Sequence, residues 1–386
     1  MRMPVWSRRL LILIILSFAS LQVLQVYCPG WVCNTTGEFS ERDEVLPAPR
    51  KRYGKAKVQM QMFNDERHEG ISLWNDEEQS PRRDVKVDLN NSDILVFLHI
   101  QKTGGTVFGR NMVKSLYDPS TGRNACSCRP EAKRCKCYRP GGGSQEWLFS
   151  RFSTGWKCGL HADYTELIHC VDQVMAPKDT RNFPPRRYFY MTLLRDPYRR
   201  YLSEFLHVQR GATWKNARHW CGGRFASDGE LRQCFQGDTW EGVSLDDFLA
   251  CPDNLAANRQ TRMLADLREV GCYNKSAMSG QDHDRLMLAS ARANLRKMAF
   301  FGIIEHIDDT QILFEATFGL RFAERLNNSY EPRGENFTMT DHQRRKFMEK
   351  IALDVELFDY AKLLFRQRVQ AVRNSTPNPK RFLGIS

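Results

Sequence analysis

The sequence predicts an α/β fold: a mainly parallel central sheet flanked by helices, with disulfide-stapled loops and an N-terminal transmembrane helix ahead of it. Three observations carry this. Ile94-Leu-Val-Phe-Leu98, Arg187-Tyr-Phe-Tyr-Met-Thr-Leu-Leu194 and Met298-Ala-Phe-Phe-Gly-Ile-Ile304 are apolar runs of strand length. The stretches between them repeat apolar residues at helical spacing. Ten of the twelve cysteines lie between Cys126 and Cys272.

At the N-terminus, Arg2, Arg8 and Arg9 precede an apolar run from Leu10 to Tyr27, about long enough to cross a bilayer. The basic flank stays cytoplasmic, so residues 1–9 are expected as a cytoplasmic tail and 10–27 as a signal anchor. A cleaved signal peptide ending near Ala19 and Ser20 is the competing reading. Both send the rest of the chain into the secretory pathway. Residues 28–90 are expected as a luminal stem; from residue 34 they are rich in charge, Gln and Asn, with no sustained apolar period. Cysteine density fits an oxidising compartment. Asn34, Asn90, Asn274, Asn327, Asn336 and Asn374 head Asn-x-Ser/Thr acceptors, which agree with it. The net charge of +12 favours an acidic partner. A luminal location removes nucleic acid and leaves anionic lipid or a polyanionic sugar.

Residues 91–373 are expected as the working domain. The first strand ends in His99-Ile-Gln-Lys-Thr-Gly-Gly-Thr106, and a helix can follow from Val107 to Leu116. Strand, glycine turn and helix in that order make an anion cradle of loop N–H groups, with Lys102 as a mobile cation. It is not a Walker A loop, because Lys102 precedes the glycines. The second strand runs into Arg195-Asp-Pro197 and a helix from Tyr198 to Arg210, whose Tyr201, Phe205 and Val208 share one face. Arg195 ends a buried strand, where open α/β sheets bind ligands, and Ser203 lies about two turns further on. Further helices are expected at Leu245–Ala250, Asn258–Leu267, Arg285–Leu295 and Thr310–Phe318. A last one runs from Thr340 to Arg373 with Phe347, Ile351, Leu357, Phe358, Ala361 and Phe365 inward. Residues 374–386 read as a loose tail.

Cys126-Ser-Cys128 and Cys135-Lys-Cys137 bracket a basic segment. Structural zinc pairs are usually spaced more widely, so disulfides are the expected use. Arg129, Lys133, Arg134, Lys136 and Arg139 would then display charge on a rigid loop. The segment from Trp147 to Asp163 concentrates aromatic, basic and small residues, among them His161, which could take a proton from a hydroxyl near neutral pH or be a structural histidine. His207, Arg210 and Trp214 suit a sugar ring with acidic substituents. Two anion sites on one sheet suit a nucleotide with phosphate at both ends, such as 3′-phosphoadenosine 5′-phosphosulfate.

Taken together, the chain resembles the heparan sulfate 6-O-sulfotransferases. The resemblance rests on His99–Thr106, Cys126-x-Cys-Arg-Pro130, Trp147–Trp156, Cys158–Asp163, Leu194–Pro197, Arg200–Glu204, His207–Lys215 and Asn258-Arg-Gln260. It implies a type II Golgi enzyme of P-loop-like sulfotransferase fold, held by one membrane helix, that sulfates the 6-hydroxyl of glucosamine in heparan sulfate and needs no metal. It also implies roles. His99, Ile100, Gln101, Lys102, Thr103, Gly104, Gly105 and Thr106 would contact the phosphosulfate, and Arg195 and Ser203 the 3′-phosphate. His161 would be the general base, with Lys102 catalytic beside it. Lys133, Arg134, Arg151, Trp156, His207 and Trp214 would contact the acceptor, together with His161. Asn327, Asn328, Ser329, Arg333 and Gly334 would add donor contacts. Val107, Phe205, Arg199 and Arg134 depart from the family pattern, and none of them removes a reactive group. A sulfotransferase for another glycan position, a non-catalytic heparan-binding protein and a luminal kinase are the rival readings.

Overall fold

β1 (Ile94–Leu98) is buried at every residue and turns into α1 (Gly105–Lys114). A short antiparallel pair follows, β2 (Leu116–Asp118) with β3 (Arg123–Asn124). Next come β4 (Leu148–Phe149), α2 (Tyr164–Met175), β5 (Tyr188–Leu194) and α3 (Pro197–Val208). The small hairpin β6 (Trp220–Cys221) and β7 (Arg224–Phe225) precedes α4 (Leu245–Ala250), α5 (Arg259–Leu264) and α6 (Gly280–Lys297). β8 (Phe300–Ile303), α7 (Ile307–Phe318), β9 (Arg321–Phe322), α8 (Asp341–Lys350) and α9 (Ala352–Ser375) follow among the described residues. This computed structural model describes residues 87–89, 91–129, 131–139, 144–176, 185–327 and 337–375, which all fall in one compact unit, Leu73–Ser386. The expected cytoplasmic tail, signal anchor and all but the end of the stem lie outside them.

The central sheet has the order β4-β1-β5-β8, and each neighbouring pair is parallel. Val96 sits between Phe149 and Tyr190 in the ladder. All C-terminal strand ends therefore meet along one edge, which is where the loops after β1 and β5 lie. The core beneath is aromatic. Phe108 of α1 lies 5.7–6.1 Å, centroid to centroid, from Phe300, Phe314 and Phe322. A second cluster gathers Tyr201, Phe205, Phe248, Phe347 and Ile351 under α3. The expected α3 face, Tyr201, Phe205 and Val208, is buried.

Several expected elements shift. The helix after the first strand starts at Gly105 and stops at Lys114, because Leu116 pairs in β2. The expected Asn258–Leu267 helix ends at Leu264, and Asp266 caps a separate 3₁₀ turn, Leu267–Val270. α6 begins five residues early because the Ser279 side chain accepts from the Asp282 N–H. The long terminal helix is two helices, broken at Ile351, whose φ of −116° and ψ of 10° leave the helical range. Its six expected inward residues are all buried, shared between the two core clusters. α9 also runs past the expected tail boundary to Ser375. Val87 and Leu89 pack on the core, so packing reaches into the expected stem.

Among the described residues, five disulfides join Cys126 to Cys137, Cys128 to Cys135, Cys158 to Cys170, Cys221 to Cys272 and Cys234 to Cys251. The first two close a ribbon in which Ser127 and Lys136 pair antiparallel. One expectation for this insert is corrected. Arg139 is not displayed: it is 4% exposed and donates to the Leu89 and Asp93 carbonyls, tying the insert to the start of β1.

Phe314 is fully buried amid Phe108, Phe300, Phe318 and Phe322. Phe314→Ala should cost about 3–5 kcal/mol, read as a lower denaturant midpoint at unchanged slope with the disulfides intact.

Candidate active site

The loop after β1 is shaped by two left-handed residues, Lys102 at φ 67° and Gly104 at φ 84°. The conformation suits glycine at 104 and is uncommon for lysine at 102. Thr103 fastens the turn by donating its hydroxyl to the Ile100 carbonyl at 3.0 Å. The side chains of Ile100, Gln101 and Thr103 point into the protein, so these residues can meet a ligand mainly through their backbone. A Cβ on Gly105 would stand 2.4 Å from the His99 ring, and one on Gly104 2.8 Å from Ile304. No side chain caps α1, and its first turn carries no acid. Its leading N–H groups thus suit an anion. Among the described residues, the buried His99 Nδ1 has no hydrogen-bond partner. These features fit the expected phosphosulfate cradle.

Arg195 follows β5 at the same sheet edge. Gln260 of α5 clamps its backbone twice: Oε1 accepts from the Arg195 N–H and Nε2 donates to its carbonyl, each at 2.9 Å. The guanidinium crosses to the first loop and donates to the Lys102 carbonyl at 3.1 Å. The two expected anion groups therefore adjoin. Ser203 is half-buried on α3. Asn327 is exposed, while Asn328, Ser329, Arg333 and Gly334 lie outside the described residues.

His161 sits in the loop between β4 and α2 with φ 51°. That loop is held at both ends. Cys158 is bonded to Cys170 of α2, and Asp163 and Glu166 form a capping box at the α2 N-terminus. Burial raises both carboxyls, and Asp163 raises Glu166 further. His161 Nδ1 lies 2.8 Å from the His99 carbonyl oxygen. A carbonyl only accepts, so Nδ1 carries the hydrogen, and in the neutral ring Nε2 holds the lone pair. Burial pushes the His161 pKa down to about 3, against the opposing pull of that carbonyl. The ring is therefore neutral at ordinary pH.

Aromatic and basic groups surround it. His99 and Trp156 each lie 4.7 Å from the His161 ring, and Trp214 meets it edge-on at 5.3 Å. His207 lies 5.7 Å from Trp214. The Arg151 guanidinium stands 5.4 Å over Trp156. Arg134 donates to the Thr154 carbonyl at 3.4 Å, and Lys133 is exposed on the same disulfide-closed insert. The expected acceptor residues Arg151, Trp156, His207 and Trp214 are thus linked to His161 through ring and cation contacts, while Arg134 reaches the Thr154 carbonyl, two residues before Trp156. Gln260 and Glu204 stand in the motifs that carry the resemblance, which gives them no role. Their contributions come from folding across 65 and 55 residues.

Residues 86–361 match the model of the sulfotransferase family. Zebrafish (Danio rerio) heparan-sulfate 6-O-sulfotransferase 3-B is 45% identical, over 90% of this chain and 83% of the relative. Chicken (Gallus gallus) heparan-sulfate 6-O-sulfotransferase 2 is 42% identical over 94% and 87%, and human heparan-sulfate 6-O-sulfotransferase 1 is 49% identical over 75% and 70%. The chain belongs to the heparan-sulfate 6-O-sulfotransferase family. Membership of the sulfotransferase family implies 3′-phosphoadenylyl sulfate as the sulfate donor. Among the described residues, no group of three or more His, Cys, Asp or Glu is placed to hold a metal ion.

In this 6-O-sulfotransferase, Gly105→Ala should weaken binding of 3′-phosphoadenosine 5′-phosphate at least about tenfold, read by calorimetry, with cooperative unfolding retained. Adding His99→Ala, which makes room for the new Cβ, should restore part of the loss.

Proposed function

We propose that this chain transfers a sulfuryl group from 3′-phosphoadenylyl sulfate to the 6-hydroxyl of glucosamine residues in heparan sulfate, with His161 as general base. The observation that carries this is the neutral His161 imidazole, whose Nδ1–H is committed to the His99 carbonyl. Its Nε2 is left to accept a proton beside an anion loop and between two tryptophans.

His161 Nε2 takes the hydroxyl proton as the sugar oxygen forms its bond to sulfur. The bond from sulfur to the phosphate oxygen breaks opposite it. Lys102 and the N–H groups at the start of α1 face the charge that builds on the sulfuryl group and the leaving phosphate. Arg195, held square by Gln260, and Ser203 take the 3′-phosphate. Trp156 and Trp214 offer flat faces to the pyranose. Lys133, Arg134, Arg151 and His207 pair with sulfates and carboxylates of the chain. Asn327, Asn328, Ser329, Arg333 and Gly334 complete the donor contacts in this reading. The basic flank, the apolar run at 10–27 and the five disulfides support a type II Golgi membrane protein with its catalytic domain in the lumen.

The depressed pKa of His161 has a kinetic consequence. In the free chain the imidazolium is penalised by burial, so the base stays neutral well into acid. Two bound anions favour the imidazolium, so the base strengthens when both substrates are in place. The acid limb of kcat should therefore lie at higher pH than that of kcat/KM, so that between about pH 4 and 8 kcat falls toward acid while kcat/KM stays level.

His161→Ala should lower kcat by about 10²–10⁴ while nucleotide binding persists, and near-parental turnover would remove His161 from the role. Lys102→Ala should lower kcat more than it raises the acceptor KM; an unchanged rate at saturating donor argues against it. The deciding assay is disaccharide analysis of heparan sulfate after incubation with donor and the purified luminal part. New sulfate on glucosamine O6 is the expected product. Sulfate at another position means a different acceptor site, and binding without transfer means a non-catalytic heparan-binding protein.

A further inference from the structure

Glu204 is wholly buried on α3, next to Ser203. Its carboxylate receives Arg259 Nε at 2.9 Å, a second Arg259 nitrogen, and Arg200 Nη1. Burial opposes its ionisation, but Arg259 and Arg200 win and hold it at about 2. Burial lowers Arg259 only to about 10, so that guanidinium stays charged. Two arginines would satisfy one carboxylate. Yet Oε1 also accepts a fourth donor, the indole N–H of Trp214, at 3.2 Å. Trp214 is the aromatic wall whose edge meets the His161 ring at 5.3 Å. On the other side, Arg259 is joined directly to Gln260, the clamp on Arg195.

We propose that Glu204 is a positioning residue for the transfer step, acting through the Trp214 indole to hold the His161 ring with Nε2 facing the acceptor. The proposal rests on the reading of His161 as base. A carboxylate fixed by two buried arginines is an unusually immobile acceptor. Tethered to it, Trp214 blocks rotation of His161 away from the Nδ1–carbonyl bond and keeps the walls of the sugar slot at a set spacing. The energetic logic is preorganisation: the ring is held in place before the acceptor arrives.

Three chains test this against the parent: Glu204→Asp, Trp214→Phe and the double variant. Aspartate keeps the charge that the two arginines need but withdraws the oxygen from the indole. Kinetics with donor and N-sulfated heparan sulfate should show kcat lowered about tenfold in Glu204→Asp, with the nucleotide KM within about twofold. In the Trp214→Phe background, the same aspartate change should have no further effect on kcat. Multiplicative losses in the double variant would overturn the proposal. So would a Glu204→Asp loss confined to KM, or one that simply follows the fall in Tm. Should Glu204→Asp not fold, Trp214→Phe decides alone: kcat within about twofold of the parent refutes the tether, and a fall of about fivefold or more at unchanged Tm supports it. Failure of the base reading is seen separately, as parental kcat in His161→Ala.

Discussion

The constraint that organises this molecule is the common direction of its four central strands. Parallel strands place every C-terminal end on the same edge. The turn after β1 and the arginine after β5 must then emerge side by side, although 93 residues separate the contacting Lys102 and Arg195. β4 adds the third neighbour. Its two residues pair with Leu95 and Val96, which delivers the chain that carries Trp156 and His161 to the same rim. The disulfide between Cys158 and Cys170 and the capping box of Asp163 and Glu166 then fix that loop against α2. A site drawn from three separate stretches follows from one geometric rule.

Behind the rim lies charge rather than oil. Arg200, Glu204, Arg259 and Asp354 are all fully or almost fully buried. Asp354 accepts from the Thr261 N–H and hydroxyl and from the Gln260 N–H, so α9 reaches through the interior to the helix that holds Arg195. Replacing such a cluster with packed hydrocarbon often costs no stability. Its use here is directional: hydrogen bonds to charged groups set angles that apolar contacts leave loose.

Much of this was legible in the letters, for physical reasons. β1, β5 and β8 announce themselves because strands covered on both faces are continuously apolar. The loop at His99–Thr106 announces itself because only glycine tolerates the approach of the His99 ring at position 105. Cysteine spacing favoured disulfides over zinc, and the insert is closed by disulfides. Other features were hidden. β4 has two residues, too few for any period. The break at Ile351 falls within an unbroken amphipathic pattern, since Ile351 itself is a core residue. Arg139 looks like its basic neighbours, yet its guanidinium is spent on two main-chain carbonyls. Gln260 and Glu204 are ordinary residues until the fold brings them to Arg195 and Trp214. α2 has a legible start that is missing from the expected elements: Asp163-Tyr-Thr-Glu166 spells a capping box.

One bond at the site lies beyond the reach of side-chain replacement. The oxygen that fixes the protonation pattern of His161 belongs to the peptide group of residue 99. Every amino acid supplies the same oxygen, so changes to the ring at 99 can alter its surroundings but not delete it. Removing it takes a chemical edit of the main chain, so side-chain substitution can reshape the pocket walls while this acceptor comes with the polypeptide itself.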